Sequence, residues 1–216
     1  MKYRCLVMDH DDTVVNSTAT VHFPSFLAYL RQTGRTADYT LEEYFRKNFD
    51  PGMLSLLQDE LGMSPAEMEQ EHEFWNAYVQ NHMPKAYPGM AEILHAHKAN
   101  GGILCVVSHS LSANILRDYR ENDLPQPDMV FGWELPQQQR KPSPYALQTI
   151  MATYHLQPEQ LLVVDDLKPG YDMANCCGVP FAAAGWANDI PEIEHFMRKN
   201  SRLYFKTVAE LADFLR

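Results

Sequence analysis

Residues 3–14 read YRCLVMDHDDTV, a short apolar run that ends directly in acidic residues. Similar short runs recur along the chain with helix-like segments between them: ILCVV at 103–107, MVF at 129–131, LLVV at 161–164, FAAA at 181–184 and, as a late edge strand, LYF at 203–205. Continuous apolar runs of this length predict strands that are buried on both faces. Strands that alternate with helices predict an α/β fold, a doubly wound parallel sheet covered by helices.

One long region, from about residue 18 to residue 83, breaks this alternation. It contains several helical patterns and no convincing strand. Ser64-Pro65-Ala66-Glu67 is typical of a helix start, because a serine followed three residues later by glutamate can form a capping box. We therefore predict an inserted all-helical cap over residues 17–83, and a Rossmann-like core made of residues 1–16 and 84–216.

Net charge and composition indicate which kinds of molecule the protein is expected to bind and where it is expected to be found. The net charge of −10 argues against nucleic acid or an anionic membrane as a partner. The first apolar run is too short, and too closely flanked by charge, for a signal peptide or a membrane span, and we expect a cytoplasmic protein. The four cysteines, Cys5, Cys105, Cys176 and Cys177, lack the spacing of zinc ligands, and we expect buried, reduced thiols.

Polar side chains stand at the points where the predicted strands end. In open α/β sheets, ligands bind outside the carboxyl ends of the strands, so these residues are the candidates for a site. Asp9 and Asp11 follow the first apolar run, Ser108 and His109 follow ILCVV, Lys141 precedes a helix predicted to begin at Ser143, and Asp165 and Asp166 follow LLVV.

The residue types at these positions suit phosphoryl transfer. One acid of the first pair could attack while the other moves a proton. A lysine could neutralise a phosphate, and two acids at the end of a buried strand are costly unless they are paired or bind a cation such as Mg²⁺. Taken alone, each feature is explained equally well without a function, as a polar turn, a loop histidine or a solvated lysine. Their combination at one edge of the sheet predicts a magnesium-dependent enzyme.

Four segments, in chain order, resemble the four motifs of the haloacid dehalogenase-like (HAD) superfamily. They are VMDHDDTVVNS at 7–17, VVSHS at 106–110, KPSP at 141–144 and VVDDLKPG at 163–170. The resemblance spans nearly the whole chain. The last motif and the position of the helical insertion are similar to the branch that contains β-phosphoglucomutase and phosphoglycolate phosphatase.

The resemblance implies a role for each candidate residue. Asp9 would be the nucleophile that forms an aspartyl-phosphate, and Asp11 the general acid and base. The Mg²⁺ cofactor would be held by Asp9, by the main-chain carbonyl of Asp11 and by Asp166. The remaining candidates are Ser108 and Lys141 as ligands of the transferring phosphoryl group, His109 as a further phosphate-binding residue, and Asp165 as a residue that contacts the metal ligands or binds the metal through a water molecule.

Asp12 departs from the family pattern, because many members have glycine at this place. Glycine permits a positive φ, and aspartate tolerates that region better than most residues do. We therefore expect the turn to survive. The extra carboxylate could alter the preference for metal or substrate.

The function predicted from these motifs is hydrolysis of a small phosphorylated metabolite by a magnesium-dependent phosphatase. A phosphomutase would use the same residues and is the main alternative, and a catalytically inactive binding protein of the same fold is a third. Asp11 argues against a dehalogenase or a phosphonate-cleaving enzyme, since those members usually lack this second acid. We expect no nucleic-acid or membrane partner, and a monomer or weak dimer.

Overall fold

The computed structural model describes residues 2–216, which divide into two compact units. The core unit contains the chain up to Asn16 together with Lys85–Arg216, and the helical unit is Ser17–Pro84. Pro84, which the sequence analysis assigns to the core, belongs here to the helical unit. Met1, part of the predicted segment 1–16, lies outside the described residues.

Within the described chain, the core unit contains a six-stranded sheet in which every neighbouring pair of strands is parallel. The strands are β1 (Cys5–Met8), β2 (Ile103–Val107), β3 (Met129–Phe131), β4 (Leu161–Asp165), β5 (Phe181–Ala184) and β6 (Leu203–Phe205). Their order in the sheet is β3-β2-β1-β4-β5-β6. Every apolar run identified in the sequence forms one of these strands, which confirms the predicted α/β fold, and β6 lies at an edge.

The helical unit contains α-helices and two π-helical turns, all within Ser17–Pro84. The elements are a π turn at Thr18–His22, α1 (Phe23–Gln32), α2 (Leu41–Phe49), α3 (Met53–Ser55), a second π turn at Leu56–Glu60 and α4 (Pro65–Asn81). The predicted capping box is present at the start of α4, where Ser64 Oγ accepts from the Glu67 N–H at 3.3 Å. The unit has its own core, with Phe26, Leu30 and Leu56 almost fully buried.

Six further α-helices and two short 3-10 helices, Gln137–Gln139 and Pro158–Gln160, belong to the core unit of residues 2–216. The α-helices are α5 (Met90–Ala99), α6 (Ser112–Glu121), α7 (Tyr145–Tyr154), α8 (Lys168–Cys176), α9 (Pro191–Asn200) and α10 (Val208–Leu215). The prediction that α7 begins at Ser143 is wrong. The Ser143 N–H donates to the carbonyl of Arg140 at 2.8 Å, so Ser143 closes a turn and the helix begins two residues later.

Burial accounts for the uniformly apolar strands. All four residues of β1 are at most 1% exposed, because the strand lies between β2 and β4 and is covered on both faces. Cys5 and Cys105 are buried as expected. Cys176 is exposed and Cys177 is half-buried, which corrects the expectation for these two thiols, since they lie at the C-terminal end of α8. Among the helices of residues 2–216, none combines the length and the apolar character that a membrane crossing requires.

Candidate active site

The order of the strands brings three of the candidate positions side by side. β1 lies between β2 and β4, so the residues that follow these strands emerge at one edge of the sheet. The Asp9 N–H donates to the carbonyl of Val164 at 2.9 Å, which places Asp9 against the end of β4, where Asp165 is the last residue of the strand and Asp166 follows it. The strand order changes direction at β1, and in such sheets this point is the usual ligand site.

A buried lysine joins two of these carboxylates. Lys141 Nζ donates to Asp9 Oδ1 at 2.7 Å and to Asp165 Oδ2 at 2.6 Å. Oxygens of Asp9, Asp165 and Asp166 all lie within 4.8 Å of one another. Each of the four side chains belongs to a residue that is less than 9% exposed. When all are charged, three negative charges face one positive charge in a place with little access to water.

Burial and the neighbouring acids raise the pKa values of two carboxyl groups in this cluster. Burial, together with the charges of Asp165 and Asp11, raises the pKa of Asp9 to about 7, although Lys141 acts in the opposite direction. Burial and the neighbouring acids, Asp9 first, raise the pKa of Asp166 well above its ordinary value. Burial disfavours the Lys141 ammonium, but the charges of Asp165 and Asp9 outweigh it and raise its pKa.

A divalent cation fits this donor set. Carboxylate oxygens are the ligands that Mg²⁺ prefers, and a cation among them would favour their charged forms and lower the raised pKa values. Among residues 2–216, Asp9, Asp165 and Asp166 are the group of acidic, histidine and cysteine side chains close enough together to hold a metal ion. The main-chain carbonyl of Asp11 lies two residues along from Asp9.

A glycine makes room for the Asp165 carboxylate. Asp165 Oδ1 accepts from the Leu167 N–H at 2.9 Å, and its Oδ2 accepts from Lys141. Gly170, in the first turn of α8, packs against this side chain so closely that a Cβ there would lie 2.1 Å from Asp165 Oδ2. The spacing of the last motif, with glycine five residues after the first acid, therefore has a direct steric reason.

Two serines after β2 hold the side chain of Asp11. Ser110 Oγ donates to Asp11 Oδ2 at 2.6 Å, and Ser108 Oγ lies 3.3 Å from the same oxygen. Ser108 Oγ also accepts from the Ser110 N–H at 3.0 Å. The sequence reasoning selected Ser108 and missed Ser110, although a second hydroxyl two residues later in the same loop was available as a signal.

His109 lies between these serines, and its ring contacts the lysine segment. Nε2 is 3.1 Å from the carbonyl oxygen of Lys141 and must carry a proton to donate to it. The ring also meets Trp133 edge to face, with ring centres 6.1 Å apart. These contacts support the backbone of Lys141. A contact between His109 and phosphate stays a prediction.

Asp12 adopts the backbone conformation expected of the glycine that it replaces. Its φ is +58°, in the left-handed region, and its N–H donates to the carbonyl of Val15 at 2.8 Å. The residue is 2% exposed, and its charge contributes to the raised pKa of Asp166. The turn therefore accommodates aspartate, and a further carboxylate acts on the proposed metal ligand.

A family model and several solved structures resemble this chain. Residues 6–184 match the model of the haloacid dehalogenase-like hydrolases. The chain belongs to this family. A predicted phosphoglycolate phosphatase from Haemophilus somnus has a TM-score of 0.77 and 18% identity, covering 100% of this chain and 99% of its own.

Two further structures similar to this chain were determined with ligands. A mutant of CbbY from Rhodobacter sphaeroides in complex with xylulose-(1,5)-bisphosphate has a TM-score of 0.70 and 17% identity over 97% of this chain and 96% of its own. A HAD family hydrolase from Deinococcus radiodurans with bound phosphate and sodium has a TM-score of 0.75 and 19% identity over 99% and 95%. At these identities the likeness establishes the fold alone. No curated protein matches the sequence significantly.

One contact in this HAD site could not be predicted from the sequence. His10, between Asp9 and Asp11, is 1% exposed, and its Nε2 lies 3.1 Å from Asp118 Oδ2 on α6. The ring also stacks on Tyr119, with ring centres 6.0 Å apart. The contact ties the segment that carries both acids to α6. No local pattern relates position 10 to position 118, so the sequence carried no signal for it.

Proposed function

We propose that this HAD-family hydrolase is a magnesium-dependent phosphatase that releases phosphate from a small phosphorylated metabolite through an aspartyl-phosphate on Asp9. The observation that carries the proposal is the buried cluster in which Lys141 joins Asp9 and Asp165 beside Asp166. A carboxylate held in a fixed position, with too little positive charge around it, suits a reaction in which one anion attacks another.

Asp9, the Asp11 carbonyl and Asp166 would hold the Mg²⁺, which when bound supplies positive charge against the anionic ester. Lys141 keeps the Asp9 carboxylate oriented through its 2.7 Å bond and adds a second positive charge beside the phosphoryl group. The hydroxyl of Ser108 is a donor for a phosphoryl oxygen. These residues supply positioning and charge, which are the main requirements of phosphoryl transfer.

Two acids complete the reaction. A carboxylate oxygen of Asp9 bonds to phosphorus as the bond to the leaving oxygen breaks, and protonated Asp11 gives its proton to that oxygen. Asp11 then takes a proton from the water that attacks the aspartyl-phosphate, which frees inorganic phosphate and restores Asp9. The bond from Ser110 Oγ to Asp11 Oδ2 holds this acid in place between the two steps.

Phosphate release from a panel of phosphorylated metabolites, with Mg²⁺ and with EDTA, tests the proposal. Asp9→Asn should lower kcat by roughly a thousandfold or more, as removal of a nucleophile does, while its circular dichroism spectrum stays native. Asp166→Asn should lose most of the rise in melting temperature that Mg²⁺ produces in the unaltered protein, because a direct ligand is gone.

Asp172→Asn provides the matched control, because Asp172 is an exposed acid on α8, in the same unit. It should behave as the unaltered protein in both assays. Activity retained by Asp9→Asn would refute the nucleophile, and an unchanged Mg²⁺ titration of Asp166→Asn would refute the ligand. Metal-dependent formation of an isomeric phosphate ester without phosphate release would favour a mutase instead.

A further inference from the structure

An exposed tryptophan and an arginine stack beside the candidate active site. Trp133 follows β3 and is 39% exposed, and the Arg140 guanidinium carbon lies 3.7 Å from the centre of its ring. Arg140 Nε donates to the carbonyl of Leu135 at 2.7 Å. One edge of the guanidinium is therefore anchored and one face is covered, which fixes the direction in which the terminal nitrogens point.

No acid neutralises this arginine. Across residues 2–216, no carboxylate lies within ion-pairing distance of Arg140, although the protein has 28 acidic residues against 18 basic ones. Glu134, nearby in the sequence, accepts instead from the N–H and the hydroxyl of Ser112, at 2.8 and 2.9 Å. The terminal nitrogens of Arg140 thus remain donors suited to a planar anion, which a guanidinium can bind with two parallel bonds.

The tryptophan loop is attached directly to the loop that holds Asp11. The Trp133 N–H donates to the carbonyl of Ser110 at 2.9 Å, and the hydroxyl of the same serine donates to Asp11. Gly132 allows this approach, since a Cβ there would lie 2.5 Å from Ser112 Oγ and 2.8 Å from the Ser110 carbonyl oxygen. Because Asp11 protonates the leaving oxygen in the proposed reaction, the leaving part of the substrate lies on this side of the phosphorus.

We propose that Arg140, stacked on Trp133, binds a second anionic group, a carboxylate or a phosphate, on the leaving part of the substrate. The inference rests on the proposed phosphatase activity and specifies its substrate class. It favours phosphate monoesters that carry another negative charge over esters of neutral alcohols. The stacked ring stabilises the cation and limits its rotation, so little conformational entropy is lost on binding.

Steady-state phosphate release from three esters tests this assignment: 2-phosphoglycolate, with a carboxylate; a sugar bisphosphate, with a second phosphate; and glycerol 3-phosphate, with neither. Arg140→Gln should raise KM for the preferred doubly anionic ester about tenfold, the effect of one lost charged hydrogen bond, with kcat little changed. KM for glycerol 3-phosphate should change much less. The two anionic esters separate carboxylate from phosphate recognition, and Arg140→Lys should restore part of the affinity.

Arg120→Gln is the matched control, since Arg120 is an exposed arginine on α6 that pairs only with Glu121 in the described structure. It should leave all three KM values unchanged. An equal effect of Arg140→Gln on all three esters, or no effect on any of them, would overturn the assignment.

A binding measurement separates this assignment from the phosphatase proposal. Calorimetry measures how tightly the Asp9→Asn protein binds 2-phosphoglycolate, the bisphosphate and inorganic phosphate. The same three affinities are then measured for the double variant that also carries Arg140→Gln. If the double variant binds a doubly anionic ester more weakly but binds inorganic phosphate equally well, the result supports the subsite even if no ester is hydrolysed. Equal binding of every probe by both proteins overturns it, whatever the activity shows.

Discussion

Replacing Lys141 by methionine would remove the ammonium from the carboxylate cluster while keeping a side chain of similar length. The substitution deletes the hydrogen bonds to Asp9 at 2.7 Å and to Asp165 at 2.6 Å, at a residue that is 8% exposed. Removing one partner of a buried ion pair costs about 3–5 kcal/mol, because the remaining charge is left without compensation. We expect the metal-free variant to lose about that much unfolding free energy near pH 8.

The loss should shrink as the pH falls. The pKa of Asp9 is raised to about 7 even with Lys141 present, and the variant should raise it further. Below that pKa the carboxyl takes up a proton and no longer needs a cation, so the difference between the two proteins should be smaller near pH 5. Added Mg²⁺ should recover part of the stability, since it replaces the missing charge.

Urea unfolding followed by circular dichroism, in EDTA and at both pH values, measures this effect. Lys98→Met is the matched control, because Lys98 Nζ bonds both oxygens of Asp128 at 2.7 Å while both side chains remain about 30% exposed. An exposed pair of this kind contributes less than about 1 kcal/mol. Equal losses in the two variants would refute the claim that the Lys141 network is held by buried charge.

Two other substitutions test separate features. Burial raises the pKa of Glu71, on α4, to about 7, against the opposing charge of His22. Since the folded protein then holds this proton more tightly than the unfolded chain, stability should fall as the pH rises from about 4.5 to about 7, by up to roughly 3 kcal/mol. Glu71→Gln should therefore be more stable than the unaltered protein near pH 8 and equal to it near pH 4; a pH-independent difference in urea midpoint would contradict this. Gly170→Ala should displace the Asp165 carboxylate and lower kcat for phosphate release by roughly a hundredfold, whereas an unchanged kcat would show that the carboxylate can move without loss.

Much of the fold could be predicted from local sequence. The apolar runs predicted every strand, because a strand buried on both faces requires apolar residues at successive positions. The start of α4 was equally local, since a capping box involves residues only three positions apart. The start of α7 was predicted incorrectly, because the Ser143 N–H donates to the Arg140 carbonyl in a preceding turn. The Ser-Pro pattern does not distinguish such a turn from the start of a helix.

The sequence by itself also determined which residue types stand at the ends of the strands, and thereby the chemistry to expect of Asp9, Lys141 and Asp166. Only the tertiary structure decided which of them touch. Lys141 reaches an acid 132 positions earlier and another 24 later, while Ser110 bonds an acid 99 positions away. Such contacts follow from the order of strands in the sheet and from how closely a glycine lets two segments approach. Both depend on packing between distant parts of the chain, which a local pattern does not encode.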